Sequence, residues 1–194
     1  MLARQRLGYR YPLREHAMHI EAADQKHLPA YRPFFLACHE EGLDYYRRAG
    51  TDPDAWLGQL LQHAEGRALP EGWVPCRTWF LINGRTEIIG AIRQRLADNA
   101  LIVERIGHIA FEVLPAWRGH GYGRVLLQYV QTLGEKPAHG NWVLVCPADR
   151  PAAVRTVEAC GGQLLETMEN GGRAFRRYSL TALAAWDDMA EGLI

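Results

Sequence analysis

The chain has 194 residues, 48% of them hydrophobic, enough for one sizeable core and most simply a single domain over 1–194. Its 22 lysine and arginine residues balance 22 aspartate and glutamate residues, so no global field favours nucleic acid or an anionic membrane. No apolar run approaches the roughly 18–20 residues of a membrane span, and the first 18 residues lack the apolar centre of a secretory signal.

Residues 1–17 carry weak periodicity and read as an N-terminal extension lying on the surface. His19–Ala22 predicts a short strand. Asp24 can cap a helix running to about Glu41, with Leu28, Tyr31, Phe35 and Leu36 on one stripe. The turn and cap signal at Gly50–Asp54 introduces a second helix, Ala55–Glu65, bearing Leu57, Leu60 and Leu61. Arg67–Pro75, with two prolines and a glycine, is a loop. Arg77–Ile82 and Glu87–Leu96 read as a hairpin around Asn83-Gly84.

After a turn at Ala97–Asn99 the next strand ends at Leu114. A helix from Gly121 to about Leu133 places Val125, Leu126, Tyr129, Val130 and Leu133 largely on one side. Trp142–Cys146 reads as a buried strand and Pro151–Cys160 as a short helix with proline in its first turn. Gly161-Gly162 ends that helix, Gln163–Glu166 begins another strand, and Glu169–Gly172 turns a last hairpin. Thr181–Leu193 is a C-terminal helix or tail. The order β-α-α-β-β-β-α-β-α-β-β predicts a mixed α/β sheet. Cys38, Cys76, Cys146 and Cys160 are scattered without a C-x-x-C pair, which suits reduced thiols of a cytoplasmic protein and suggests no metal site.

The most informative stretch is Val113 to Arg124, VLPAWRGHGYGR, where an apolar strand passes through three glycines into an amphipathic helix. Such a turn lets backbone N–H groups converge beside the positive helix end, which makes an anion site, most often for phosphate. Spacing excludes two common phosphate loops. Arg124 stands where a G-x-G-x-x-G fingerprint starting at Gly119 needs its third glycine, and no Gly-Lys-Ser/Thr precedes the helix. The pattern that fits is R-x-x-G-x-G, Arg118 to Gly123.

This pattern, directly after a strand ending in Val-x-Pro, resembles the acetyl-CoA pyrophosphate loop of the GNAT N-acetyltransferase superfamily. The flanking segments extend the resemblance from about His19 to about Leu180. Leu69–Pro75, Gly107–Phe111, the Asp149–Gly162 helix and Arg176–Tyr178 are similar to a bacterial subgroup of predicted small acetyltransferases. The resemblance implies a mostly antiparallel central sheet flanked by helices and acetyl-CoA as co-substrate. The pyrophosphate would lie on Arg118, Gly119, His120, Gly121, Tyr122, Gly123 and Arg124. The pantetheine arm would lie along the main chain of Phe111, Glu112 and Val113, where two strands splay.

The reaction implied is direct attack of a neutral primary amine, on a small molecule or a peptide, at the thioester. Where many members carry a tyrosine acid this chain has Val157, the preceding asparagine is Arg150, and a glutamate of some members is Val145. The usual acid–base pair is therefore not transferable. Glu112, and His108 on the same side of the strand by alternation, become the candidate bases. Asp149 reads as a helix cap and Cys146 as a packed thiol. For the acceptor, Glu40, Glu41, Asp44, Tyr45 and Tyr46 form an acidic-aromatic patch suited to a cation, whereas Arg93 and Arg95 could hold an acidic group. These point to opposite substrate charges. A homodimer is compatible with the chain, and a non-catalytic CoA-binding or sensory domain is the alternative to an enzyme.

Overall fold

A computed structural model describes residues 18–84, 86–133, 137 and 140–183. The predicted N-terminal extension, and the C-terminal helix or tail beyond residue 183, lie outside the described residues. The elements are β1 (His19–Ala22), α1 (Leu28–Glu40), α2 (Asp44–Arg47), α3 (Pro53–Ala64), β2 (Cys76–Ile82), β3 (Ile88–Arg95) and β4 (Ile109–Val113). They continue with α4 (Tyr122–Gln131), β5 (Asn141–Pro147), α5 (Pro151–Ala159), β6 (Gln163–Asn170) and β7 (Arg173–Thr181). One seven-stranded sheet runs β1-β2-β3-β4-β5-β7-β6. Every pairing is antiparallel except β4 with β5. Among the described residues no helix is long and apolar enough to cross a membrane.

Strand alternation divides the core between the two faces of this sheet. Phe80, Ile82, Ile88 and Ala91 point to Tyr31, Phe34, Phe35, Tyr46 and Leu57 of α1–α3. Trp79, Leu81, Ile89, Ile92, Trp142 and Leu144 point the other way, to Leu126, Leu127 and Val130 of α4 and Val154 and Val157 of α5. The first layer is mostly aromatic, with Tyr31 and Phe34 both against Phe80 at centroid distances of 5.5 and 6.3 Å.

Four local expectations change. Asp24 caps a single 3-10 turn, Gln25–His27, before α1: its carboxylate accepts from the Lys26 N–H at 2.9 Å, and His27 Nδ1 accepts from the Asp24 N–H at 3.0 Å. Leu36, assigned to the buried stripe, is 47% exposed. Phe34 and Cys38 take that face instead, because the helix turns its i, i+3, i+4, i+7 series from Tyr31 towards the sheet.

The strand expected before Leu114 is not continuous. Ile102–Ile106 forms a wide helical turn, begun where the Asn99 carboxamide oxygen accepts from the Ile102 N–H at 2.9 Å. The short helix α2 has no counterpart in the predicted order. At four residues it is below the length at which periodicity is visible, yet it delivers Tyr46 to the core.

Phe80 is fully buried at the centre of the aromatic layer. Phe80→Ala is expected to lower the unfolding free energy by about 3–5 kcal/mol, read from urea denaturation.

Candidate active site

β4 and β5 are paired at only one position, Ile109 with Leu144, beside an isolated bridge from Gly107 to Leu144. Beyond it the strands part. On its other edge β4 stays hydrogen-bonded to β3: the Arg95 N–H donates to His108 O at 2.8 Å and the Leu114 N–H to Ile89 O at 2.9 Å. In an antiparallel ladder such bonds recur at alternate residues, so Ala110 and Glu112 also face β3. The main-chain groups of Phe111 and Val113 therefore turn into the gap towards β5. By the same alternation, starting from the Ala148 N–H bonded to Ala174 O at 2.9 Å, Val143 and Val145 turn theirs towards β4. Of the three strand residues assigned to a coenzyme arm, Glu112 thus has its main chain committed to β3.

The gap opens into a cleft of about 840 Å³. Its walls come from the α1–α2 connection, β4, the turn into α4, β5 and the first turns of α5. The three glycines of the turn serve different ends. Gly119 and Gly121 have φ of +80° and +84° with open space where a Cβ would point, so a side chain there is strained and would project outwards. Gly123 has ordinary helical geometry, but a Cβ would meet Phe111 at 3.1 Å and Thr156 at 3.3 Å. It lets α4 settle onto β4 and α5. The N–H groups of Tyr122 and Gly123, the first two of α4, have no helical acceptor at the cleft wall, whereas the Arg124 N–H donates to Gly121 O at 3.0 Å. Trp117 packs edge-on to Tyr122 and His120 stacks on Tyr122, while His120 Nδ1 lies 2.8 Å from Arg118 O.

Arg118 does not point free into this anion site. Its Nε donates to Val113 O at 2.9 Å, and its Nη2 donates to both oxygens of Glu41 at 2.7 and 2.6 Å. Arg150, at the start of α5, lies 3.8 Å from the same carboxylate. Glu41, just after α1, thus ties that end of the cleft to the glycine turn. Arg124 and Arg155 line the cleft with no ion pair among the described residues.

Below the cleft floor, Arg93 and Glu112 form a buried bidentate pair, with one contact at 2.6 Å from Nη1 to Oε1 and a second from Nη2 to Oε2. The Tyr46 hydroxyl donates to Glu112 Oε1, and Arg93 Nη1 donates to that hydroxyl at 3.2 Å. The Tyr45 ring covers the guanidinium at 3.8 Å. Burial and the Glu112 charge push the Tyr46 phenol well above its usual value, so it remains a donor. Burial opposes the Arg93 charge, but Glu112 and the two tyrosines hold it well above the ordinary guanidinium value.

Of the predicted site residues, Phe111, Glu112, Val113, Arg118, Gly119, Gly121, Tyr122, Gly123, Arg124, Glu41 and Tyr45 line the one cleft. Glu40 is exposed and outside the lining, and His120 braces the loop from its outer side. Arg93, read as an acid-binding group, is 3% exposed and neutralised by Glu112. His108, predicted as a base beside Glu112, is buried at 2% exposure. Its ring lies against Asp98 and Val143, away from the cleft lining. Asp149 caps nothing: α5 has no side-chain cap, and Asp149 pairs with Arg173 at 2.9 Å, which holds its carboxyl below the usual range. Cys146 lines the cleft, with burial pushing its thiol up to about 11. Arg155, Thr156 and Arg173 also line it and were not foreseen. Arg155 and Thr156 reach it because α5 lies opposite the glycine turn, and Arg173 because β7 starts beside the end of β5, placements that only the sheet order reveals.

A glycine-turn helix facing a strand gap, on a sheet with one parallel pairing, defines a class of fold with a coenzyme-sized cleft. Residues 35–161 match the Acetyltransferase (GNAT) family, and the chain belongs to that family. Solved structures agree in fold. Mutant forms of the spermidine/spermine N-acetyltransferase SpeG from Vibrio cholerae share 14% identity at a TM-score of 0.58, over 85% of this chain and 95% of that one. The ribosomal-protein-S5-alanine acetyltransferase from Vibrio fischeri shares 11% identity at 0.64, over 91% and 97%. A dodecameric spermidine N-acetyltransferase from Vibrio cholerae shares 14% at 0.58, over 85% and 94%. No curated protein matches the chain in sequence.

Arg93→Met leaves the Glu112 carboxylate buried without its cation and should cost about 3–5 kcal/mol of stability in urea unfolding. Replacing both partners, Arg93→Met with Glu112→Leu, should recover most of that loss.

Proposed function

We propose that this chain is an acetyl-CoA-dependent N-acetyltransferase acting on a primary amine of a small molecule or peptide. The observation that carries the reading is the conjunction of a strand gap, with main-chain groups of Phe111, Val113 and Val145 turned into it, and the outward-facing first turn of α4. The residues present fit the coenzyme. The N–H groups from Gly119 to Gly123 would hold a diphosphate, with the Arg124 side chain beside them, and the helix dipole adds about 0.5–2 kcal/mol. Arg124 and Arg155 offer further positive charge at the cleft rim. The edges of β4 and β5 would take an extended amide-bearing arm as a strand takes its neighbour. When bound, acetyl-CoA supplies the thioester acyl group.

The chain's own part is to orient the acceptor and carry off its proton. An amine of pKa near 10 is only about 0.1% neutral at pH 7, so proton removal matters. Glu112 is a poor recipient, because Arg93 and Tyr46 already donate to it. Glu41 is engaged by Arg118. Of the three carboxylates in the cleft lining, Asp44 alone makes no ion pair among the described residues, its charge acting on Arg173 only at longer range. It sits on α2 beside Tyr45 and Tyr46, and this favours a cationic acceptor over an acidic one. We assign Asp44 to ammonium binding and the proton to solvent in the open cleft.

One observation favours a second reading, a CoA-binding domain without turnover. Val157, where many members place a tyrosine acid, is fully buried, so α5 presents no acid there.

Titration with CoA and a thiol-release assay with acetyl-CoA and an amine panel separate these readings. Binding with turnover is expected; binding without turnover on any amine selects the second reading, and no binding removes both. Gly121→Glu should abolish CoA affinity while leaving the fold intact by circular dichroism, since it adds bulk and negative charge at an outward-facing αL position. Asp44→Asn should raise the acceptor KM about tenfold, as loss of one ion pair would, and leave the acetyl-CoA KM unchanged.

A further inference from the structure

The point where β4 meets β5 is held by an arrangement that the proposed chemistry does not use. Gly107 approaches β5 so closely that a Cβ would fall 2.8 Å from Val143 O and 3.1 Å from Leu144 Cα. His108, next in the chain and 2% exposed, then bonds Val143 twice. Its main-chain N–H donates to Val143 O at 2.6 Å, and the Val143 N–H donates to its Nδ1 at 3.0 Å. On the other side of the ring, Nε2 lies 2.6 Å from Asp98 Oδ1. The Val143 amide can only donate, so Nδ1 is the bare nitrogen and the ring proton sits on Nε2, donated to Asp98. Arg95 adds a third tie, from Nη1 to Gly107 O at 2.9 Å. Immediately above this corner the strands keep one pairing, Ile109 with Leu144, and then separate.

We propose that His108 is a positioning residue that, oriented by Asp98, fixes the vertex of the β4–β5 gap and so sets the spacing of the main-chain groups of Phe111, Val113 and Val145 for the coenzyme arm. The inference rests on the coenzyme reading above. It also removes His108 as a base. The ring has no free lone pair, it lies outside the cleft lining, and a proton on Nδ1 would face the Val143 N–H and break the corner open.

The test compares wild type, His108→Ala, His108→Asn and Asp98→Ala in the full chain. CoA affinity comes from calorimetry, Val143 amide exchange from NMR of the free protein, and kinetics from thiol release. His108→Ala should weaken CoA binding about tenfold, the size of one lost buried hydrogen bond, and speed Val143 exchange. His108→Asn keeps an amide oxygen near the Nδ1 position and should recover part of both. Acetyl-CoA KM should rise with Kd while kcat at saturation holds, the opposite split from an essential base.

A folded His108→Ala protein with unchanged CoA affinity overturns the proposal, as does a lower kcat with unchanged Kd. Should His108→Ala not fold, Asp98→Ala decides: weaker binding with faster Val143 exchange supports the role, and no change in either refutes it. Wild type that binds no CoA would fail the coenzyme reading, while Val143 exchange in the free variants still judges the corner itself.

Discussion

β4 and β5 share one parallel pairing, Ile109 with Leu144, and a corner at Gly107 and His108 where both main chain and ring bond Val143. The rest of the site follows from that short contact. A longer pairing would bring the Phe111, Val113 and Val145 main-chain groups together and leave no slot. A shorter one would detach β5, with β7 and β6 behind it, from the half of the sheet that carries α1–α3. The gap exists because each strand has a full partner on its other edge, β3 for β4 and β7 for β5. Of the backbone groups turned into this gap, Val113 O is satisfied by Arg118 Nε, and those without a protein partner face an open cleft where water or a ligand can satisfy them.

The charged groups around the slot are organised by the same geometry. Alternation along β4 sends Phe111 and Val113 to the α4–α5 side and Glu112 to the α1–α3 side, where Arg93 and Tyr46 enclose its carboxylate. A carboxylate at the centre of an enzyme-like cleft invites a catalytic role, yet this one is braced. Its pairing with Arg93 ties β4 to β3 from the side-chain layer as well as through the ladder. Tyr46 adds the third member by way of α2, and Tyr45 screens the guanidinium from the cleft. The polar cluster holds the α1–α2 wall of the cleft in place.

Much of this architecture was legible in local patterns. The apolar periods placed α1, α3, α4 and α5, Asn83-Gly84 placed the β2–β3 hairpin, and the glycine spacing placed an anion turn before α4. Local reading failed where partners come from elsewhere in the chain or the backbone is irregular. The His108 ring, expected beside Glu112, is held by Asp98 and the Val143 N–H, and the wide turn at Ile102–Ile106 replaced part of a predicted strand. Four-residue α2 fell below any periodic signal, and with it the reason for placing Tyr46 against Glu112.

The sequence by itself determined the family resemblance, the order of the longer elements and the glycine turn, because each is read from patterns among residues that are near neighbours in the chain. Only the tertiary structure decided what the charged residues do. Arg93 and Glu112 are 19 positions apart, Tyr46 and Glu112 are 66, and Glu41 and Arg118 are 77. Nothing in the spacing of such residues says that they meet. Their protonation and their availability for chemistry follow from burial and from the partner each one finds, and both are properties of the folded sheet.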